Sequence, residues 1–269
     1  MQKHPNVKDK VGNQKNRGSF AILKGMRLLQ LNAWTARLHT RIIDMMNEET
    51  PDIVALQEML ESKGGLGFFP TLSELSQQLH FDYDFFSPVY GLSFAGRRAE
   101  YGNAILSTFP LSNSETVFTN LSYKEDMKSE HDDYNVRNFQ HVVVDGGDGK
   151  TVHIINHHGY HIPEHKNGDD YTRKACQQIL DYTSRLEGPV IITGDFNLHP
   201  DSESLNLINN HFRNLTKEFN LETTRTDLTY KTEACDYIFV NNELVVNNFY
   251  ASSTIASDHQ ALVLDFETK

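Results

Sequence analysis

Residues 190–200 read VIITGDFNLHP, and the fold turns on how this stretch is taken. Val190, Ile191, Ile192 and Thr193 are consecutive apolar or β-branched residues, the pattern of a short strand buried on both faces. Gly194 breaks the run, and Asp195 and Asn197 then stand two apart at the strand end, where an extended backbone puts them on one face. A carboxylate and an amide pointing the same way can grip a reacting group, the first as proton acceptor or metal partner, the second as neutral donor and acceptor. Gly, Asp and Asn are also common turn formers, so by themselves these residues read equally as a turn and as a chemical site.

Working outward, the helix that feeds this strand is expected over 171–186, closed by Gly188-Pro189. Before it, strands over 139–145 and 151–156 flank Gly146-Gly147-Asp148-Gly149, a hairpin signal. At the start of the chain, MRLLQLN (26–32) reads as a strand, residues 38–49 as a one-faced helix, and DIVALQE (52–58) as a second strand. Leu72, Leu75 and Leu79 place a helix over 70–79. Strands follow at 83–88, 101–107 and 115–120, with 91–100 as a long loop carrying Arg97 and Arg98. The last strands are expected at 236–240, 246–254 and 261–266. Helices lie between several strands without a regular alternation, so the residues indicate a mixed α/β layered domain, two sheets covered by helices. Polar residues gather after the strands: Asn32, Glu58, Asn103, Asn156 with His158, Asp195 with Asn197, Asp236, and Asp258-His259. Ligands in α/β folds collect where such strand ends converge.

The chain has 269 residues, enough for one sizeable domain, and 23% of them are charged. No apolar run approaches a membrane span, so no membrane insertion is expected. The first 24 residues hold six basic residues and one acidic one, so the formal charge of −11 leaves −16 on the rest. Residues 1–25 are expected to be a flexible basic extension and 26–269 the folded domain. An acidic body disfavours sequence-independent binding of long duplex DNA, but carboxylates gathered around a cation also make a chain acidic. Cys176 and Cys235 lack CxxC spacing, and the N-terminus lacks an apolar signal core, so free thiols, a cytoplasmic location and a monomer are expected.

LNAW at 31–34, LQE at 56–58, GNAILS at 102–107, NHH at 156–158, GDFN at 194–197, CDYIF at 235–239 and SDHQALVLDF at 257–266 together resemble the endonuclease/exonuclease/phosphatase superfamily, from about Met26 to the C-terminus. The resemblance implies a four-layer αββα sandwich, two mixed β-sheets packed face to face and flanked by helices. It also implies Mg²⁺-dependent phosphoester hydrolysis, with Mn²⁺ as an alternative. It makes Glu58 the metal glutamate, with Asn32 and Asp258 beside the metal; Mg²⁺ favours such hard oxygen donors. It makes Asp195 the base for the attacking water and Asn197 its neighbouring amide. His259 would contact the scissile phosphate, oriented by Asp236, and His158 would stabilise or protonate the leaving oxygen, with Asn103 in support.

Specificity lies in loops, so the substrate is left as a phosphorylated small molecule or a nucleic acid, and the enzyme as a phosphodiesterase or phosphatase. The alternative is a DNA or RNA endonuclease or exonuclease, with Tyr90, Phe94 and Tyr101 near the weak substrate candidates Arg97 and Arg98 available to stack bases. A phosphate-ligand or protein-binding module that has lost turnover ranks below both. The run HHGYHIPEH (157–165) departs from the family's Asn-Thr-His pattern and invites a zinc reading, but Gly159 and Pro163 oppose the helical register such a site uses.

Overall fold

The computed structural model describes residues 25–269 except 68, 95, 129–131 and 148; the basic extension, Gly25 apart, lies outside the described residues. In chain order the first half comprises β1 (Met26–Asn32), α1 (His39–Glu49), β2 (Ile53–Glu61), α2 (Leu72–Leu79), β3 (Tyr83–Phe94), β4 (Arg97–Ser107), β5 (Leu111–Asn120) and β6 (Arg137–Asp145). The second half comprises β7 (Thr151–His158), α3 (Asp170–Thr183), β8 (Val190–Asp195), α4 (Glu203–Asn209), β9 (Arg213–Asn214), α5 (Leu215–Glu218), β10 (Asp236–Val240), β11 (Leu244–Ala251) and β12 (Leu262–Thr268).

These strands make two six-stranded sheets, ordered β11-β12-β1-β2-β4-β3 and β5-β6-β7-β8-β10-β9. Each has one parallel pair at its centre, β1 with β2 and β7 with β8, joined through α1 and α3 respectively. All other pairings are antiparallel. Period-two alternation divides each strand between two layers. On β1, Leu28 joins a core shared by both sheets, with Ile53, Ile154, Ile191, Ile238 and Leu264. Leu29 and Leu31 face the other way, against Ile42, Met45 and Met46 of α1 and Leu72 and Leu75 of α2. The second sheet's outer face packs Ile155, Ile192 and Phe239 on Cys176 and Ile179 of α3 and Leu205 and Ile208 of α4. Helix, sheet, sheet and helix are therefore stacked as the expected αββα sandwich.

The central parallel strands end on one side of the sandwich, and their antiparallel neighbours β10 and β12 begin there, so six strand termini meet at one end. Just beneath them the shared core turns polar. Gln30 donates to Gln57 Oε1 (2.9 Å) and to Asp236 Oδ1 (3.0 Å); Gln57 donates to Asn156 (2.6 Å), and Asn156 to Gln140 (2.8 Å). This buried amide chain ties the two sheets together where the site is carried, and such a network resists any shift that would leave a member unpaired.

Several expected bounds change. The loop expected over 91–100 is the far part of a long hairpin, because β3 continues to Phe94, paired with Arg97 of β4. Its alternation of Leu92, Ala99 and Tyr101 packs on Leu60 and Leu66, and a register shift between Pro88 and Tyr90 lets the strand continue past a proline that ends most strands. The helix over 171–186 stops at Thr183, and β5 begins at Leu111 rather than 115. Helices α4 and α5, not foreseen, are short segments held by the Ser202 and Asn214 caps and by Leu205, Ile208 and Leu215.

Candidate active site

The GDFN segment is a turn and a site at once. Asp195 Oδ1 accepts the Asn197 backbone N–H at 2.9 Å, closing a turn of the Asx type. Asn197 sits at φ 54°, a left-handed conformation that asparagine tolerates. Gly194 is required by space: at φ 138° a Cβ would lie 1.9 Å from the His157 carbonyl oxygen of the adjacent parallel strand. Gly159 is equally constrained, its added Cβ meeting the Phe196 carbonyl oxygen at 2.2 Å. Close approach at both positions brings His158 of β7 alongside Asp195 of β8, its Cα partner.

Asp195, 1% exposed, receives a second hydrogen bond at Oδ2 from Asn32 Nδ2 (3.0 Å), and the same amide reaches Glu58 Oε1 at 3.2 Å. Glu58 is aimed here by a break in register between Leu56 and Met59, which leaves its backbone at φ 59°. A bulge of this kind re-aims a side chain at a strand end, and non-glycine residues held at positive φ cluster at functional sites. His158 Nε2 lies 3.9 Å from Glu58 and 3.8 Å from Asp195, and His259 Nε2 lies 3.7 Å from Asp195. The His259 ring is fixed from behind: Nδ1 donates to Asp236 Oδ2 at 2.8 Å, and Asp236 also accepts from Thr224 (2.6 Å) and Gln30 (3.0 Å). Arg225 donates to His259 Nε2 and lies 3.8 Å from Asp258 Oδ2. Asn197 Oδ1 accepts from Lys166 at 2.7 Å.

The electrostatics follow from this packing. Burial alone would raise the Asp195 pKa, but His259, His158, Arg225 and Lys166 together hold it well below the ordinary carboxylate value. Burial raises Glu58, with Asp195 adding to the effect and the Asn32 hydrogen bond and His259 opposing it. His158 is held well below the usual histidine value by burial and by Arg137. For His259 burial also lowers the pKa, but the Asp236 and Asp195 carboxylates outweigh it and raise the group. The two neighbouring histidines are therefore shifted in opposite directions: burial prevails at His158, with Arg137 adding to it, whereas the Asp236 and Asp195 carboxylates outweigh burial at His259.

Of the residues singled out in the sequence, Asn32, Glu58, His158, Asp195, Asn197, Asp258 and His259 line one cavity of about 260 Å³, with Asp236 directly behind it. Asn103 does not reach it; its amide donates to Asn138 Oδ1 (2.8 Å) in the packing between the sheets. Arg97 and Arg98 line a different pocket, where Arg97 caps the Gly64 and Gly65 carbonyls and Arg98 meets Tyr123. Of the histidines of 157–165, His158 and His161 both line the cavity, His161 hydrogen-bonded to Tyr134, whereas His157 is buried with Nδ1 donating to the Asn138 carbonyl and His165 is exposed. Among the described residues Asp195, Cys235, Asp236 and His259 bring ligand-type atoms within 4.8 Å of one another, but Asp236 already accepts from His259, Thr224 and the Cys235 thiol. Glu58 and Asp195 instead offer carboxylate oxygens bridged by the Asn32 amide N–H, a hard donor pair that fits a divalent cation.

The cavity also includes Arg137, Arg225, Lys231, Tyr90, Tyr101 and Tyr134, of which only the tyrosines at 90 and 101 had been considered. A lone arginine before an apolar strand (Val136-Arg137) or in a Thr-rich loop (Thr224-Arg225-Thr226) carries no sequence signal that separates it from a solvated one.

The profile of the Endonuclease/Exonuclease/phosphatase family matches residues 28–259. No curated protein sequence matches the chain significantly. Among solved structures, an endonuclease/exonuclease/phosphatase from Beutenbergia cavernae superposes with a TM-score of 0.72 at 17% identity, covering 91% of this chain and 72% of that one. The human Nocturnin catalytic domain with bound sulfate gives 0.63 at 19% identity, covering 91% and 94%. A humanized D. rerio TDP2 gives 0.67 at 14% identity, covering 91% and 100%. At such identities these structures speak for the fold, while the profile match over most of the chain speaks for descent. The chain belongs to the endonuclease/exonuclease/phosphatase family and is a metal-dependent phosphoesterase.

Proposed function

We propose that the protein is a Mg²⁺-dependent hydrolase of small phosphate esters in which Asp195 activates the attacking water. The observation that carries this reading is the setting of Asp195: a buried carboxylate held well below its ordinary pKa, oriented by two N–H donors and flanked by His158 and His259 at 3.8 and 3.7 Å. Glu58 and Asn32 would hold Mg²⁺, which when bound supplies charge neutralisation on the phosphoryl oxygens and at the attacking water. Asp195 Oδ2 accepts the water proton, and Asn197, braced by Lys166, keeps the turn that aims it. Arg225, with Asp258 as its counter-ion, presents positive charge to the phosphoryl oxygens, and His259, fixed by Asp236, holds that guanidinium at its Nε2. His158, held neutral, donates a hydrogen bond to the leaving oxygen. Two buried free thiols accord with a reducing, cytoplasmic setting, and among the described residues no helix is long and apolar enough to cross a membrane.

The test is hydrolysis of bis(p-nitrophenyl) phosphate and p-nitrophenyl phosphate by metal-stripped protein, restoring Mg²⁺, Mn²⁺ or Zn²⁺ in turn. Turnover restored by Mg²⁺ or Mn²⁺ is expected; no turnover with any of the three would sink the reading. The diester to monoester ratio separates phosphodiesterase from phosphatase use.

A further inference from the structure

Arg137 opens β6 on the cavity wall; it adds to the lowered pKa of His158 but hydrogen-bonds none of the reacting groups. It is 5% exposed. Its Nη1 has the carbonyls of Tyr134 and Val136 at 3.5 Å, the outer limit of a hydrogen bond, and its Nε, like that of Arg225, has no partner among the described residues. No carboxylate of the described residues forms an ion pair with it, in contrast to Arg27, which grips Asp265 at 2.6 Å, and to Arg225, which has Asp258. A buried cation without a counter-ion is costly, and proteins retain one where an anion arrives to complete it.

The position of the guanidinium narrows the anion. Arg137 acts electrostatically on Glu58, His157, His158, Tyr90 and Tyr101, whereas Arg225 acts on Asp195 and His259. Both arginines line one cavity of about 260 Å³, Arg225 in contact with His259 and 3.8 Å from Asp258. Tyr90 and Tyr101, stacked at 4.9 Å, wall the Arg137 end. A phosphoryl group beside Asp195 and His259 is served by Arg225, which leaves Arg137 over. We infer that Arg137 receives a second oxyanion, phosphoryl or carboxylate, carried by the substrate close to the phosphoryl group that is hydrolysed. The inference rests on the phosphoesterase reading for its first anion, and it makes the preferred substrate a small, doubly anionic phosphate ester. A planar guanidinium fork matches either oxyanion with paired hydrogen bonds. The small volume of the cavity and the charge of −16 on residues 25–269 favour a small molecule over a nucleic-acid strand.

Calorimetric titration of the full chain in Mg²⁺ buffer tests this without relying on turnover. The probes are methylphosphonate, methylenebisphosphonate, phosphonoacetate and the dinucleotide pTpT. In the wild type at least one of the two doubly anionic compounds is expected to bind about tenfold or more tightly than methylphosphonate, and the tighter one names the second oxyanion. In Arg137→Met that advantage falls to within about twofold. Because the substitution removes an unpaired buried charge, the ligand-free Tm is expected to hold or rise. If Arg137→Met does not fold, Arg137→Lys keeps the charge without the fork and should lose most of the advantage. A wild type without the advantage, or a variant that keeps it, overturns the inference. Tightest binding of pTpT, lost in the variant, overturns the small-molecule assignment. Failure of the phosphoesterase reading is seen separately, as absence of Mg²⁺-dependent turnover with the nitrophenyl esters.

Discussion

At the Asp195 end of the cavity the carboxylates are hydrogen-bonded and Arg225 has a counter-ion; at the Arg137 end the guanidinium has no carboxylate partner among the described residues. Asp195 accepts from Asn32 and the Asn197 backbone, Asp236 from His259, Thr224 and Gln30, and Arg225 meets His259 and Asp258. Arg137 has two distant carbonyls and an orphan Nε. The difference separates two tasks. Groups that move protons must be oriented before substrate arrives, because reorganisation at the moment of reaction adds to the barrier. A group that recognises substrate gains discrimination from being incomplete without it, since a buried polar group left unpaired penalises the wrong ligand.

The sharpest way to break the saturated end is Asp195→Asn, which keeps the shape and removes the base. Turnover of bis(p-nitrophenyl) phosphate is expected to fall by about 10³-fold or more while circular dichroism is unchanged; activity within tenfold of wild type would exclude Asp195 as the base. Asp236→Asn acts one step removed, by loosening the tautomer and charge of His259. A loss on the order of 10²-fold, falling mainly on kcat, is expected. A loss confined to Tm would make Asp236 merely structural.

Two buried histidines outside the cavity lining, His157 and His141, make stability sensitive to acid. Burial lowers His157 to about 4, with Arg137 adding to the shift and the hydrogen bond to the Asn138 carbonyl opposing it. Burial and the facing His153 lower His141, also to about 4. Unfolded histidine titrates near 6.5, so between about pH 6.5 and 4 the unfolded chain binds protons that the folded chain refuses. Stability from these two groups is whole above that window and is lost as pH falls through it, by about 1.4 kcal/mol per pH unit for each. Tm measured from pH 7 to 4.5 should drop accordingly, and Arg137→Met should flatten the drop by letting His157 accept its proton earlier. An unchanged slope in that variant would separate Arg137 from His157 electrostatically. The smallest effect is expected from Arg97→Ala with Arg98→Ala, which lie on the far hairpin. Their kcat/KM for p-nitrophenyl phosphate should remain within about twofold of wild type, as for surface changes that touch no reacting group. A larger loss would extend the substrate site beyond the cavity.

Much of the saturated end was legible in the chain because its residues sit in short motifs at strand termini. Asp195, Asn197, Glu58, Asn32, His158 and His259 each follow or precede an apolar run whose burial could be read from the sequence. Asn103 occupies the same kind of position yet turns into the inter-sheet packing, because strand position fixes which face a residue takes but not which neighbour fills the space beside it. Gln30, Gln57 and Gln140, which support Asp236 and Asn156, sit within β1, β2 and β6 and read as interruptions of hydrophobic strands.

The sequence by itself determined most strands and the longer helices, the first strand-helix-strand unit and the cluster of acids, amides and histidines, because periodicity and strand-end chemistry are local properties of the chain. Only the tertiary structure decided which polar residues share the cavity. Arg137 and Arg225 lie far apart in sequence and are brought to one wall by the pairing of β6 with β7 and by the loop before β10, contacts set by sheet register rather than by the residues around either arginine. The turn and the site in GDFN were likewise two readings of four residues until Asn32 and Asn197 were seen to grip opposite oxygens of one carboxylate.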